Sequence, residues 1–175
     1  MNLNNALLSF ILTFCISPSW AEVTPTLNSD AIKATFGSYG VTILNQTEST
    51  RVANLYSGHS GREICRTLAV TEFVLPMDPK LSLEHEKIRA GGSIGATVRD
   101  AGFRINKKLL IKTKIVAGPA FSQLSNQTVE PGAPLATRVY ALFAQSSERL
   151  IPYAIIAEAY HPAHQPPTHE EVSDA

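Results

Sequence analysis

The feature that most constrains the fold is the stretch between positions 93 and 162, where long apolar segments alternate with short turns. It contains KKLLIKTKIV, a short helical turn, the turn EPGAP, and the segments TRVYALFA and LIPYAIIAEAY. Runs rich in β-branched and aromatic residues are typical of strands, and two of them joined by a short polar segment form an antiparallel hairpin. The last strand carries one acid, Glu158, inside an apolar run. A carboxylate in that position needs a partner or a ligand.

The rest of the chain fits the same kind of sheet. Glycine and proline clusters separate further strand-like segments from short helical ones, and Ser93 is suited to cap the helix that follows it. About six strands with long antiparallel neighbours and three or four short helices predict a single-domain α+β fold with one antiparallel sheet. We expect helices at 30–36, 81–90, 93–102 and 119–125, and strands at 41–44, 50–56, 62–75, 103–117, 137–144 and 150–160.

The two ends of the chain differ from this central domain. Residues 1–21 contain a short apolar run, a proline and small residues before Ala21, the pattern of a secretory signal cleaved between Ala21 and Glu22. An uncleaved N-terminal anchor is the alternative, although the run is too short to span a bilayer. Residues 163–175 are rich in proline and polar side chains, and we expect a disordered tail. The domain then covers 22–162, in a bacterial periplasmic or secreted protein without a stable membrane span after cleavage.

The charge and the cysteine content of the chain limit its possible binding partners and disulfides. Fifteen basic and fifteen acidic residues give no net charge, so nothing in the composition favours nucleic acid. Removal of Cys15 with the signal leaves Cys65 alone, which excludes an internal disulfide. Because Cys65 lies in a strand-like run, we interpret it as a small buried hydrophobe.

Several motifs resemble two related families. SIGATVRDAGF with KKLLIKTKIV, and FSQLSNQTVEPGAPLATRVYALF, resemble the UTRA domain, which senses small molecules in bacterial regulators. AIKATFGSYGVTI, TRVANLY, REICRTLAVTEF and the ending AIIAEAYHP resemble chorismate lyase. The resemblance covers positions 30–162 and implies the chorismate lyase-like fold. The chain shows no winged-helix region, so we do not expect a transcription regulator.

The resemblance also implies a ligand site. Arg51 matches the lyase arginine that holds the ligand carboxylate, and Glu158 matches the acid on the last strand. Ile94 and Gly95 match a pair whose backbone touches the ligand, and Ile32 matches a ligand-contacting methionine. If the chain is an enzyme, Arg51 and Glu158 are the catalytic candidates, in an elimination that converts chorismate to 4-hydroxybenzoate and pyruvate. The alternative for this pair is a plain salt bridge across the sheet.

Other candidate motifs do not lead to a site. His161, His164 and His169 have irregular spacing in a proline-rich segment, and we assign no metal to them. The loop GGSIG lacks the lysine and spacing of a phosphate-binding loop and is explained by the end of one helix and the start of the next. We therefore expect no cofactor.

Two functions remain open from the sequence. The first is an exported chorismate-lyase-like protein that binds a small aromatic or carboxylate ligand, with or without carbon-oxygen lyase activity. The second is a non-catalytic scaffold or partner protein of a cell-envelope pathway. An open pocket containing Arg51 and Glu158 favours the first, whereas a filled pocket with Arg51 bonded to Glu158 favours the second.

Overall fold

One antiparallel sheet organises the part of the chain that the structure, a computed structural model, describes, which is residues 26–165. The strands are β1 (Gly40–Gln46), β2 (Thr50–Ser57), β3 (Ile64–Phe73), β4 (Arg104–Val116), β5 (Pro134–Gln145) and β6 (Leu150–Tyr160). They lie in the order β1-β2-β3-β6-β5-β4, and each neighbouring pair is antiparallel. Two three-stranded meanders therefore meet where β3 pairs with β6. The predicted α+β fold with a single six-stranded sheet is confirmed.

The helices fall within two residues of their predicted limits. They are α1 (Asn28–Phe36), α2 (Ser82–Arg89), α3 (Ile94–Asp100) and α4 (Pro119–Leu124), with a 3-10 turn at Pro79–Leu81 before α2. Helix α1 ends where Gly37 adopts a left-handed φ of 77°, which glycine does without steric cost. Helices α2 and α3 both lie in the long connection between β3 and β4.

The two faces of the sheet are covered differently. Helices α2 and α3 contribute buried side chains to the main core, together with Leu27 just before α1, and these pack against residues such as Phe73, Tyr140 and Ile156. We call this side the helix face. The opposite side, the outer face, is covered near one end by α4 through a cluster that includes Phe121 and Ala159.

A β-bulge explains the position of Cys65. The pairing of β2 with β3 shifts between Leu55 and Tyr56, so Cys65 moves to the outer face and joins the α4 cluster. The side chain is fully buried, as predicted, and burial raises the pKa of its thiol to about 12. A thiol in this environment is a packing group rather than a nucleophile.

The ends of the chain lie partly outside the described range. The predicted signal at 1–21 falls among the undescribed residues, as do positions 166–175 of the predicted tail. At 163–165, where disorder was expected, His164 is 3% exposed and contacts Asn28. No helix within residues 26–165 is long and apolar enough to cross a membrane.

The buried face of α2 provides a test of this packing. We expect Ile88→Ala to lower the free energy of unfolding by about 2–5 kcal/mol, because Ile88 is fully buried in the main core and its truncation leaves a cavity. Leu83, on the same helix, is 59% exposed and is the matched control. We expect Leu83→Ala to change the same quantity by less than about 0.5 kcal/mol. Equal losses in urea unfolding of both variants would contradict the described orientation of α2.

Candidate functional site

A partly open cavity of about 60 Å³ lies between the helix face and the starts of α1 and α3. A volume of this size holds a few water molecules, and the cavity is partly open to solvent. Strands β2, β3, β5 and β6 form its floor, and one lysine of β4 closes one side. Its lining residues are Leu27, Asn28, Ser29, Tyr39, Val41, Arg51, Ala53, Leu55, Ala69, Thr71, Ser93, Ile94, Gly95, Lys107, Tyr140, Leu142, Ile156 and Glu158.

Four of the five residues singled out from the sequence meet at this cavity. Arg51, Ile94, Gly95 and Glu158 all line it. Ile32 is fully buried on α1 and lies outside the lining set. Strands β2 and β6, which are far apart in the sequence, therefore bring Arg51 and Glu158 to one site, with β3 between them in the sheet.

Arg51 joins the sheet to the connection between α2 and α3. Its Nη1 donates hydrogen bonds to the carbonyl oxygens of Ile88 at 2.9 Å and Gly92 at 2.8 Å. The side chain is buried, and its Nε has no hydrogen-bond partner among residues 26–165. Burial lowers the pKa of the guanidinium, while the nearby Tyr39 and Tyr153 raise it. A buried donor without a partner is costly, so this edge of the guanidinium is suited to an acceptor entering the cavity.

Glu158 is the centre of a buried hydrogen-bond network. Its Oε1 accepts a hydrogen bond from Asn28 Nδ2 at 3.2 Å, and its Oε2 accepts one from the Tyr160 hydroxyl. Burial raises the pKa of Tyr140 well above its ordinary value, and the charges of Glu158 and Tyr160 and a hydrogen bond with Glu158 raise it further. The pKa of Tyr160 is raised by burial and by the same carboxylate. Glu158 thus fixes the positions of hydrogen-bond donors of the protein. The hydrogen bonds described for Arg51 go to the backbone carbonyls of Ile88 and Gly92, not to Glu158.

The network continues from the cavity to the C-terminal segment. His164 Nε2 donates to Asn28 Oδ1 at 2.7 Å, and Asn28 Nδ2 also donates to Thr67 Oγ1 at 3.0 Å. The His164 ring packs against Phe36 and Tyr160 at centroid distances of 5.8 Å. Asn28 therefore uses both ends of its amide to connect the final segment with Glu158.

His161 is fixed in a neutral form beside this segment. Its Nδ1 accepts a hydrogen bond from the backbone N–H of Ala163 at 3.0 Å, which leaves Nε2 as the donor to Thr128 Oγ1 at 2.9 Å. Two histidines of the motif HPAHQPPTH thus have structural partners. Within the described residues, no group of three potential metal ligands occurs.

A second cation, Lys107, enters the cavity from β4. Its Nζ lies 4.9 Å from the centroid of the Tyr140 ring, a cation–π contact. Burial and the charge of Arg138 lower the pKa of the amine, and Glu158 opposes that shift. The cavity lining therefore contains two basic side chains and one acid, and the acid is already engaged by hydrogen-bond donors. Such a lining favours an anionic ligand.

The rim is held by contacts that keep the cavity open. Ser93, predicted as a helix cap, makes no side-chain capping bond and instead hydrogen-bonds with Tyr39. Burial raises the pKa of this tyrosine. Gly95 allows α3 to approach Leu27 closely, since a Cβ at this position would lie 2.8 Å from Leu27 Cδ2. Ser29, at the start of α1, has a buried Oγ with no partner in residues 26–165.

An ion pair ties the two helices that form the roof. Arg99 Nη1 of α3 lies 2.6 Å from Asp30 Oδ2 of α1. The pair is exposed to solvent and contributes little to the stability of the fold. It joins the first turn of α1 to the last turn of α3, the two helices whose starts place Ser29 and Gly95 on the cavity.

Comparison with known proteins supports the fold. PhnF from Mycobacterium smegmatis matches with a TM-score of 0.53 and 14% identity, over 82% of this chain and 67% of PhnF. The ligand-binding domain of a protein assigned to the GntR family of regulators, from Bordetella bronchiseptica, matches with a TM-score of 0.49 and 17% identity, over 77% of this chain and 89% of that domain. A GntR-family regulator from Enterococcus faecalis V583 matches with a TM-score of 0.45 and 11% identity, over 77% of this chain and 96% of that regulator.

These similarities extend to the fold only. The identities are low, and the PhnF match is the one on which the structural argument rests. No protein-family model matches the sequence, and no curated protein matches it either. The chain therefore shares the chorismate lyase-like fold implied by its motifs, and its function has to be argued from the site.

The lowered pKa values of His161 and His164 predict how the stability of the protein depends on pH. Burial and the charge of Arg66 lower the pKa of His164 from 6.5 to about 4, and they lower the pKa of His161 as well. The unfolded chain then binds protons that the folded protein excludes, so stability present above pH 6.5 is lost as the pH falls toward 4. We expect His164→Gln to reduce this loss, measured as the free energy of urea unfolding at pH 7, 6 and 5.

The control for this experiment is His59→Gln, because His59 is exposed in the turn between β2 and β3. It should keep the pH dependence of the wild-type protein. A His164→Gln variant with an unchanged profile would show that His164 is not buried as described.

Proposed function

We propose that this chain binds a small ligand that carries a carboxylate group, with Arg51 as the residue that receives it. The observation that carries the proposal is the unpartnered Nε of Arg51, a buried donor on a side chain that lines the cavity. The net positive charge of the lining, from Arg51 and Lys107 against Glu158, supports the same conclusion.

The geometry of the guanidinium supports a carboxylate in particular. Nη1 is used by the carbonyls of Ile88 and Gly92, which fixes the plane of the group. The edge that contains Nε then presents parallel donors, the arrangement that binds the two oxygens of a carboxylate. The Ser29 hydroxyl, also buried without a partner, offers a further hydrogen bond to the same ligand.

The apolar part of the cavity supports a ring beside the carboxylate. Ile94, Leu142 and Ile156 contribute aliphatic surface, and Tyr140 contributes an aromatic face. Gly95 also lines the cavity, and the resemblance implies a backbone contact with the ligand there. A small aromatic acid satisfies both the charged and the apolar parts of this lining.

A second candidate, chorismate-lyase-type elimination, is favoured by one observation. Arg51 and Glu158, the two catalytic candidates, line the same cavity. However, both oxygens of the Glu158 carboxylate already accept hydrogen bonds from the protein, from Asn28 and from Tyr160, so this side chain is engaged by the fold. Binding without turnover is therefore our first proposal. The scaffold alternative required a filled pocket with Arg51 bonded to Glu158, and the open cavity and the carbonyl partners of Arg51 favour binding over it.

The location that we propose follows from the sequence of the first 21 residues. Their apolar run and small residues before Ala21 fit an export signal, so the ligand would be met in the bacterial periplasm or outside the cell. Chorismate is made in the cytoplasm, and export favours another aromatic or carboxylate compound as the ligand.

Ligand binding is tested by a thermal-shift screen of the purified protein with benzoate, 4-hydroxybenzoate, chorismate and the neutral analogue benzamide. A compound at about 100 times its dissociation constant should add roughly 2.7 kcal/mol to stability. We expect shifts with carboxylates and none with benzamide. Pyruvate release from chorismate, measured in parallel, separates the lyase candidate from simple binding.

The variant for this screen is Arg51→Lys, since Arg51→Ala would also remove the bonds to Ile88 and Gly92 that support the fold. Lysine keeps the positive charge but lacks the planar pair of N–H donors that binds both oxygens of a carboxylate. We therefore expect carboxylate binding to weaken by at least about tenfold, while the variant keeps its thermal unfolding transition. Arg62→Lys, in an exposed turn, is the matched control. Equal affinity in both variants, or no carboxylate binding at all, would contradict the proposal.

Export is tested by expressing the full chain in a Gram-negative host and analysing the fractions by mass spectrometry. We expect a periplasmic protein that begins at Glu22. Replacing Ala21 with a bulky residue should block cleavage, because the processing site needs small residues. An intact N-terminus in the cytoplasmic fraction would contradict the export proposal without affecting the ligand site.

A further inference from the structure

The positive charge of the chain is concentrated on β4, the strand at one edge of the sheet. This strand contains five basic residues and no acidic one: Arg104, Lys107, Lys108, Lys112 and Lys114. They are a third of the fifteen Lys and Arg residues in a chain that has no net charge. The acidic residues that balance them therefore lie in other parts of the sequence.

Two of these lysines line a second pocket, of about 370 Å³, which shares no lining residue with the ligand cavity. The residues around it are Lys112, Thr113, Lys114, Ala136, Thr137 and Arg138. Lys112 pairs across the sheet with Arg138, and Arg138 pairs with Glu158, so all three side chains are on the helix face. Lys114 is on the same face, because it pairs with Ala136. The pocket thus combines three cations around one small side chain.

The two lysines of this pocket have no acidic partner among residues 26–165. Lys112 and Lys114 are exposed, and neither takes part in a described ion pair, whereas Lys80 and Lys87 each have a glutamate partner. Positive charges held close together on one face repel one another, and a negative group placed between them relieves that repulsion. The pocket is therefore suited to an acidic occupant.

The described chain ends close to this pocket and on the same face of the sheet. His164 is buried, donates to Asn28 and packs against the ring of Tyr160 at a centroid distance of 5.8 Å. Tyr160 pairs with Ala136, and Ala136 pairs with Lys114. Two strand spacings, or roughly 10 Å, therefore separate the backbone of Tyr160 from that of Lys114.

The sequence that follows has the charge that the pocket requires. Positions 166–175, which lie outside the described range, read PPTHEEVSDA. They contain three acids, Glu170, Glu171 and Asp174, and no Lys or Arg. Ten residues in an extended conformation span up to roughly 33 Å, which is ample for the distance to β4.

We infer that the chain's own acidic segment, residues 170–174, binds in this pocket with its carboxylates beside Lys112 and Lys114. The composition of 163–175 predicts disorder for the segment by itself, and such segments become ordered when they meet a complementary surface. The tether favours the chain's own segment over a separate acidic protein, because a short linker gives an effective concentration on the order of millimolar. Since Arg138 pairs directly with Glu158, the bound segment lies beside the ligand cavity.

The test is paramagnetic relaxation in the purified full chain, with a nitroxide attached to Ser173→Cys. Cys15 is replaced by serine in every sample, and Cys65 is buried and stays unlabelled. We expect the label to broaden the amide resonances of positions 112–116 and 136–138. Positions 41–44 on β1, at the opposite edge of the sheet, should keep their intensity. About 1 M salt should remove the broadening, because it shortens the screening length to about 3 Å.

Matched charge variants show whether the lysines of the pocket hold the segment. The double variant K112Q/K114Q should lose the broadening and keep the dispersed spectrum of the folded protein. The control K108Q/R89Q removes two exposed positive charges away from the pocket and should keep the broadening. Equal broadening in both double variants, or none at 112–116 in the wild type, would overturn the inference.

A mixed sample identifies the copy that supplies the segment. Spin-labelled protein without ¹⁵N is combined with ¹⁵N-labelled protein that has no nitroxide. We expect full intensity at positions 112–116 of the ¹⁵N-labelled copies, because each pocket is filled by the segment of its own chain. Broadening in this sample would assign the pocket to the segment of a second copy and would overturn the inference.

Discussion

The structure depends on the two hydrogen bonds that Arg51 donates to the carbonyls of Ile88 and Gly92. They attach the long connection between β3 and β4 to the start of β2, so the end of α2 and the segment before α3 are held over the sheet. A buried guanidinium is stable only when its donors are satisfied, and here Nη1 is satisfied by the fold while Nε is not. One side chain therefore supports the wall of the cavity and offers a donor to whatever enters it.

Glu158 complements this arrangement by fixing the other side of the cavity. Its oxygens hold Asn28 and Tyr160, and through Asn28 they connect to His164 at the end of the described chain. Such a buried network is favourable only when each member has its partner, which gives the cavity a single well-defined shape. Glu158, which the resemblance marks as a ligand group, therefore also positions other polar groups around the site.

The fold and two central residues could be predicted because their signals are local. A charged residue in an apolar strand stands out, and this identified Glu158, whereas Arg51 was identified by its place in a motif that resembles chorismate lyase. Lys107 was missed because of the β-bulge near Leu109 in β4. Strict alternation along β4 would put Lys107 and Lys112 on opposite faces of the sheet. The bulge shifts the alternation by one residue, and both lysines lie on the helix face. The place of His164 in the network was missed because its partner, Asn28, is far away in sequence. Ser29 was missed because no periodic pattern marks the start of α1.

The central claim is that the free edge of the Arg51 guanidinium binds a carboxylate. The most direct measurement is the ¹H–¹⁵N resonance of its Nε–H, assigned by its loss in Arg51→Lys and followed during titration with 4-hydroxybenzoate. The account predicts a saturable downfield shift of this resonance and slower exchange with water, because the Nε–H gains an acceptor in a site closed by the ligand. Saturable binding with an unchanged Arg51 resonance would contradict the account.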